Sequence, residues 1–296
     1  MDYVIRGAEL EDVIPACRMM WESYPNHHAN DPKDFFEPFQ TCDPHWKCEH
    51  LRILWRDNRM AATVRVFMRE VYNGSNYLVM GGIGSVATHP DFQKQGLAQL
   101  VLQDSIDFMK SLGVDYSSLY AGPVPLYEKL GFQVVPRITY RGKIRGNRLQ
   151  LKDNTDIELA KEIYSDYCTS LPGTFKRSDA YWDTWVKVMR MRNGAIAYSS
   201  NSDTYVIYSR DLQSGEIIIL DAASIGDTDS LANVFADKLP GENISLWDIS
   251  TTNPIVSALN LVCDVNTSEP TSSFMIKQLS RHSMPLIFNE TIVDHF

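Results

Sequence analysis

The segment from Met80 to Phe132 constrains the fold of this chain more than any other. Its hydrophobic pattern predicts strand, helix, strand and short helix in that order, over 77–87, 95–112, 117–121 and 124–130. Strands that alternate with helices in this way are typical of an α/β fold whose helices pack on a sheet. A glycine-bearing turn separates the first of these strands from the first helix.

That turn has the chemistry of a pyrophosphate site. It reads Gln93-Lys94-Gln95-Gly96-Leu97-Ala98. Gly96 has no Cβ, so the backbone can approach a ligand closely. The helix that follows offers free N–H groups and the positive end of its dipole, and Lys94 adds a cation. The turn therefore predicts binding of a phosphate-containing ligand.

The strand before the turn contains three glycines, Gly81, Gly82 and Gly84. Glycines inside a strand indicate a bulge or the close approach of another backbone. A bulge leaves backbone N–H groups unpaired, so the residues at the end of this strand are candidates for binding the ligand. They are Val86, Ala87 and Thr88.

The second motif is Pro125-Leu126-Tyr127-Glu128-Lys129-Leu130-Gly131-Phe132. It places a phenol on a short helix, one strand away from the turn. A phenol with a pKa of about 10 can donate a proton at neutral pH. The alternative role for Tyr127 is an aromatic side chain that packs its helix on the sheet.

Together the two motifs resemble those of the Gcn5-related N-acetyltransferases (GNAT). The turn pattern of that family matches Gln93, Gly96 and Ala98, and its later motif matches Tyr127, Gly131 and Phe132. The resemblance implies acetyl-CoA as co-substrate and Tyr127 as the acid that protonates the leaving thiolate. It also implies a CoA site made by Val86, Ala87, Thr88, Gln93, Lys94, Gln95, Gly96, Leu97 and Ala98. No metal is expected, because no cluster of His, Cys and Asp in the sequence suggests a metal site.

After Gly146 the order of predicted elements begins again. In the second half the turn reads Gly226-Asp227-Thr228-Asp229, and carboxylates at a helix start cap the helix but repel a pyrophosphate. The sequence therefore predicts an α/β fold (an α+β mixed sheet) of two consecutive GNAT-like domains, the second degenerate. The predicted division is 1–146 for the catalytic domain, ending in a strand over 133–144, 147–282 for the degenerate domain, and 283–296 for a C-terminal tail.

This tandem arrangement is similar to the enhanced-intracellular-survival group of acetyltransferases, without the sterol-carrier-like domain of that group. The similarity implies that the terminal carboxylate, here on Phe296, enters the active site as the general base. Other candidates for the base are His89 at the end of the glycine-rich strand, and His27 and His28 in an aromatic loop. The loop also supplies candidates for substrate binding, namely Trp21, Tyr24 and Phe36.

Composition limits the classes of partner. The chain has 296 residues and a net charge of −9, which argues against nucleic acid because phosphate contacts need basic surface. No apolar run is long enough to span a bilayer, so no membrane partner is expected. The five cysteines are scattered without metal-ligand spacing, which indicates a reducing, cytoplasmic setting. A homo-oligomer is compatible with this composition.

The predicted function is therefore acetyl-CoA-dependent N-acetylation of a small-molecule primary amine by direct attack. One alternative acceptor is a peptide or protein amine. An alternative from another class is a non-catalytic acyl-CoA-binding sensor. The sequence does not name the amine.

Overall fold

A computed structural model describes residues 3–24, 42–148, 154–191, 194–271, 273–281, 288–291, 294 and 295. The described strands form two mixed sheets. They are β1 Tyr3–Gly7, β2 Leu51–Arg56, β3 Arg59–Asn73, β4 Asn76–Thr88, β5 Tyr116–Tyr120, β6 Gln133–Val134, β7 Arg137–Ile144, β8 Gly194–Tyr198, β9 Thr204–Arg210, β10 Ile217–Ser224, β11 Asn243–Ile249, β12 Cys263–Thr271 and β13 Phe274–Gln278.

Helices flank both sheets. The described α-helices are α1 Val13–Ser23, α2 Leu97–Ser111, α3 Val124–Glu128, α4 Glu158–Ser170, α5 Thr228–Lys238 and α6 Pro254–Val262. A π-helical segment spans Tyr181–Arg190. Among the described residues, no helix is both long enough and apolar enough to cross a membrane.

The first sheet has the order β1-β2-β3-β4-β5-β13-β6, and the second has the order β12-β7-β11-β10-β9-β8. The tandem α/β prediction is confirmed by these two sheets with their helices. Their strands do not follow the halves of the chain, however. The predicted strand over 133–144 divides into β6 and β7, and β7 leaves the first sheet to pair with β11 and β12.

In exchange, β13 from the second half enters the first sheet. It pairs antiparallel with β5, Phe274 opposite Tyr120, and with β6 on its other side. A contiguous division into 1–146 and 147–282 therefore does not describe which strands share a sheet. Strand β12, which the hydrophobic pattern did not indicate, lies at the edge of the second sheet.

The core of the first sheet lies on the face that α2 covers. Side chains of β3, β4 and β5 pack there against the apolar face of α2, including Val64, Ile83 and Leu119 against Val101 and Ile106. Gly81 on β4 permits this packing, because a Cβ at its position would collide with Sδ of Met109. Close packing of α2 on β4 fixes where the N-terminus of α2 stands relative to the end of that strand.

The opposite face of the first sheet meets the second half of the chain. Phe67 on β3 packs edge-on against Trp185 of the π-helical segment, with ring centroids 5.9 Å apart. Both side chains belong to a buried cluster that continues into β9 and β10 of the second sheet. The two sheets are therefore joined through a continuous apolar core.

Candidate active site

The glycine-rich strand β4 carries the predicted bulge. Thr63 of β3 pairs with Ala87, whereas Arg65 pairs with Gly84, so β4 advances three residues while β3 advances two. The extra residue falls at Ser85, whose φ is +49°. A bulge of this kind bends the strand and redirects its backbone groups.

Strands β4 and β5 separate at the same level. They pair in parallel from Met80 opposite Tyr116 to Ile83 opposite Leu119, and the described pairing ends there. The next residues of β4 are Gly84, Ser85 and Val86, all half-buried. An opening between two parallel strands exposes backbone donors and acceptors on which an extended ligand can form hydrogen bonds.

Two hydroxyl groups contact the carbonyls of the bulge. The Thr63 hydroxyl donates to the Ser85 carbonyl at 3.3 Å, and the Tyr24 hydroxyl donates to the Val86 carbonyl at 2.5 Å. Tyr24 follows α1 directly, so this bond ties the end of α1 to the bulge. Tyr24 was predicted to bind substrate, and the structure places it at the strand opening.

The predicted phosphate turn lies at the end of β4 and begins α2. Lys94 has a φ of +60° and Gly96 a φ of +77°, so the chain reverses sharply before the helix. A Cβ on Gly96 would meet nothing within 4 Å, which leaves the space in front of the helix clear. No side chain caps the N-terminus of α2. Its first N–H groups therefore face outward toward exposed Gln93–Gly96.

Neighbouring side chains hold the turn in place. The Gln93 side chain donates to the Thr88 carbonyl at 3.3 Å, and Gln95 donates to the Asp91 carbonyl at 3.4 Å. Arg59 pairs with Asp91 at 2.6 Å. The turn is thus anchored by its own glutamines.

Tyr127 lies on α3, the short helix that follows β5, and belongs to the buried cluster against which Val86 of the bulge packs. It is 5% exposed and packs edge-on against Phe132, with ring centroids 6.2 Å apart. No described residue forms a hydrogen bond with its hydroxyl group. Burial raises the pKa of Tyr127, which keeps the phenol protonated at neutral pH.

Tyr24 and Tyr127 are close enough to affect each other. Burial first, and the Tyr127 phenol second, raise the pKa of Tyr24. The end of α1 and the short helix α3 thus bring two neutral phenols to the same opening. Both side chains can donate a hydrogen bond at neutral pH.

The other predicted site residues are more scattered. Trp21 is half-buried and packs against a cluster from α1 and β2 that also contains Ala87 of β4. Phe36, His27, His28 and Phe296 lie outside the described residues. The Nδ1 atom of His89 accepts the Asp91 N–H at 3.2 Å, so that nitrogen already has a partner.

Three residues at the opening were missed by the sequence reasoning. Thr63 had no signal because an isolated threonine in a strand is ordinary. Tyr120 ends β5, and the ring of His295 stacks on it with centroids 4.2 Å apart. Burial lowers the pKa of His295 well below its usual value, so the imidazole is neutral at neutral pH. Its position brings the chain's last described segment to the first sheet.

The corresponding turn of the second half is closed by its own side chains. Asp227 caps α5 by accepting the Ser230 N–H at 2.9 Å. The Ser224 hydroxyl accepts the Gly226 N–H at 3.1 Å. The donors that are free in the first turn are thus partly occupied in the second. Within the described residues, no group of three or more His, Cys, Asp and Glu side chains could hold a metal ion.

Comparisons with known proteins agree with this geometry. Residues 5–135 match the acetyltransferase (GNAT) domain family. No curated protein matches the chain in sequence.

Three solved structures share the fold over 94% of this chain. A GCN5-related N-acetyltransferase from Anabaena variabilis ATCC 29413 is similar at TM-score 0.71 and 15% identity, with 73% of its chain covered. Eis1 from Mycobacterium abscessus is similar at TM-score 0.70 and 12% identity, with 74% covered. A GCN5-related N-acetyltransferase from Kribbella flavida is similar at TM-score 0.69 and 14% identity, with 71% covered.

At these identities the structures show the fold, and the family match identifies the domain that carries the bulged strand and the turn. Residues 5–135 therefore match the acetyltransferase (GNAT) domain family, and the chain has a tandem fold similar to that of Eis1.

Proposed function

We propose that this protein is an acetyl-CoA-dependent N-acetyltransferase that acetylates the primary amine of a small molecule. The observation that carries the proposal is the opening between β4 and β5. The uncapped helix N-terminus follows β4, and the buried phenol of Tyr127 follows β5, in the cluster against which Val86 of the bulge packs. A long thioester with phosphates at one end and its reacting carbonyl at the other suits this arrangement.

In this proposal the turn binds the pyrophosphate of CoA. The free N–H groups of α2 and the open space at Gly96 accept the phosphates, and Lys94 contributes charge. Val86, Ala87 and Thr88 bind the pantetheine arm through the β4 backbone. The second half takes no CoA, because Asp227 already occupies the equivalent helix end.

The chemistry is a direct transfer. The amine nitrogen attacks the thioester carbonyl carbon, and the C–N bond forms as the C–S bond breaks. The thiolate takes the proton of Tyr127, and a base takes one proton from the amine; solvent then returns a proton to the phenolate. Raising the pKa of Tyr127 by burial keeps that proton in place until the thiolate forms.

The group that takes the proton from the amine is predicted from the sequence alone. Three of the candidates that the sequence offers lie outside the described residues. They are the imidazoles of His27 and His28 and the terminal carboxylate of Phe296. His89 fits less well, because its Nδ1 accepts a backbone N–H and its Nε2 lies 3.8 Å from Glu22. The proposed setting is the cytoplasm, which is consistent with five free cysteines.

A panel of acceptors tests the proposal. The purified protein is mixed with acetyl-CoA and one amine at a time, and release of free thiol is measured against a reaction without acceptor. The panel contains free amino acids, polyamines, aminoglycosides and short peptides. Turnover with a free small amine supports the proposal.

Two other outcomes would replace it. Acetylation of peptides alone would identify a peptide or protein acetyltransferase. Tight binding of CoA, seen as a raised melting temperature, without thiol release from any acceptor would identify a non-catalytic acyl-CoA sensor.

A further inference from the structure

The bulge in β4 holds an unfavourable backbone conformation. Ser85 has a φ of +49°, a region that residues with a Cβ adopt rarely. Such a conformation persists where the surrounding structure imposes it, and it is found most often at functional sites. Contacts that fix the two peptide groups after Ser85, on either side of Val86, are therefore of functional interest.

Thr63 fixes the first of these peptide groups. Its side chain is fully buried on β3, and its hydroxyl donates to the Ser85 carbonyl at 3.3 Å. The peptide group is planar and trans, so its C=O and N–H point in opposite directions. A Ser85 carbonyl held toward β3 therefore turns the Val86 N–H away from β3, toward the side where β5 has separated.

Tyr24 fixes the next peptide group from a different element. Its hydroxyl donates to the Val86 carbonyl at 2.5 Å. Its own backbone N–H bonds to the Met20 carbonyl at 3.2 Å, so the tyrosine is anchored to the last turn of α1. Two consecutive carbonyls of the bulge are thus held by hydroxyl groups that come from β3 and from the end of α1.

We propose that Thr63 and Tyr24 are positioning residues, whose hydroxyls clamp the Ser85–Val86 bulge so that the Val86 N–H is aimed at the acetyl carbonyl oxygen. This inference rests on the proposed acetyl transfer. Negative charge develops on that oxygen as the amine attacks. A donor that is aimed beforehand stabilises this charge without reorganising during the reaction. Neither hydroxyl needs to touch the reacting atoms.

Thr63→Val tests the inference, because valine keeps the branched shape and removes the hydroxyl. Loss of a whole oxyanion donor lowers kcat by roughly 10²–10³. In Thr63→Val the donor is still present but poorly aimed, so the loss should be smaller. We expect kcat to fall about tenfold or more, with KM for acetyl-CoA nearly unchanged. Thr63→Ser keeps a hydroxyl and should restore most of the rate. Tyr24→Phe should reproduce the loss of kcat.

A spectroscopic readout separates positioning from general damage. The ¹³C chemical shift of the carbonyl in bound [1-¹³C]acetyl-CoA reports how strongly that carbonyl is polarised. It should move toward the value for free acetyl-CoA in Thr63→Val and Tyr24→Phe, and stay in place in Thr63→Ser. Thr139→Val, on β7 of the other sheet, is the matched control and should leave both the shift and kcat unchanged.

Unchanged kcat and carbonyl shift in folded Thr63→Val and in Tyr24→Phe would overturn the clamp. If Thr63→Val does not fold, half-exposed Tyr24 carries the test alone, and an unchanged Tyr24→Phe is then sufficient to reject the clamp. Failure of the proposed function looks different. In that case the wild-type protein itself releases no thiol with any amine, and the clamp has no reaction to serve.

Discussion

The guanidinium of Arg177 and the carboxylate of Asp294 form a buried two-point ion pair. Nε lies 2.9 Å from Oδ1 and Nη2 lies 2.6 Å from Oδ2, with side chains 0% and 1% exposed. The remaining Nη1 of Arg177 bonds to Asp221 on β10 at 2.6 Å. The pair thus fastens the last described segment of the chain to the second sheet. The hydroxyl of Tyr181, in the cluster between the sheets, also donates to Oδ1 of Asp294 at 3.3 Å.

Breaking this pair should destabilise the protein strongly. Arg177→Gln leaves the buried carboxylates of Asp294 and Asp221 without the cation that they share, and loss of one partner of such a pair costs about 3–5 kcal/mol of unfolding free energy. The neighbouring pair of Lys176 and Glu70 is 3.0 Å long but exposed, so Lys176→Gln is the matched control. Its cost should stay within about 1 kcal/mol. Urea unfolding measures both, and equal stabilities of the two variants would contradict the expectation.

The phosphate turn can be tested at Gly96. Gly96→Asp places a carboxylate where the phosphates are proposed to bind, so the CoA-induced rise in melting temperature should disappear. In the wild type, CoA at 100 times its Kd should stabilise the fold by about 2.7 kcal/mol.

Gly113, at the other end of α2, supplies the control for this substitution. Its φ is +73° and a Cβ there also meets nothing within 4 Å. Gly113→Asp thus carries a similar backbone cost without reaching the turn, and it should keep the CoA-induced shift. Normal CoA binding by folded Gly96→Asp would place the phosphate site elsewhere.

Tyr127→Phe should reduce kcat and leave CoA affinity nearly unchanged. It removes the hydroxyl but keeps the ring that packs on Phe132. Loss of a general acid typically lowers the rate by roughly 10²–10⁴. Steady-state kinetics and CoA titration measure the two quantities separately. A wild-type kcat in this variant would show that solvent or another group protonates the thiolate.

The helix cap of the second half should matter for stability and not for CoA. Asp227→Ala removes the bond to the Ser230 N–H, so the melting temperature should fall by a few degrees. CoA affinity and kcat should equal those of the wild type. A change in CoA affinity would mean that the second half takes part in cofactor binding.

Acid should weaken the contact between Asp43 and β3. Burial alone would raise the pKa of Asp43, but Arg69, Arg65 and the His45 N–H outweigh it and lower the pKa below its usual value. The folded state then holds this proton less tightly than the unfolded state. The resulting stability is present above an unfolded pKa of about 3.9 and is lost as the pH falls through the lower folded value.

Unfolding midpoints measured from about pH 6 down to pH 3 test this. Asp43→Asn should be less stable than the wild type at neutral pH, because it leaves two buried guanidiniums without their countercharge. Its stability should also fall less steeply in acid. Parallel curves for the two proteins would contradict the assignment.

Short-range residue patterns predicted those elements of the fold that are determined by neighbouring residues in the sequence. Alternation and glycines indicated β4, and the apolar stripe with Gly96 at its start indicated α2, because both elements bury one face on the same sheet. Strand β12 was not predicted from the sequence, because it is a polar edge strand. Its residues Asp264–Pro270 are exposed, so no apolar alternation marks it.

In the candidate site, too, only the residues in short sequence motifs were predictable. The turn and Tyr127 follow from residue types at short spacing, whereas Thr63 and Tyr24 reach the bulge across 22 and 62 residues of sequence. Contacts at such separations depend on how the strands pair. Which strand pairs with which is decided by tertiary packing and not by the composition of either strand.

The exchange of β7 and β13 has a consequence for biosynthesis. On the ribosome, the first half emerges without β13, so the edge of its sheet at Tyr116–Tyr120 waits unpaired until Phe274–Gln278 is made. Strand β7 likewise waits for β11 and β12. Both unpaired edges can capture other strands during that interval. Co-expression of 1–146 and 147–296 as separate chains should therefore yield soluble protein when the two are made together, and aggregates when either is made alone.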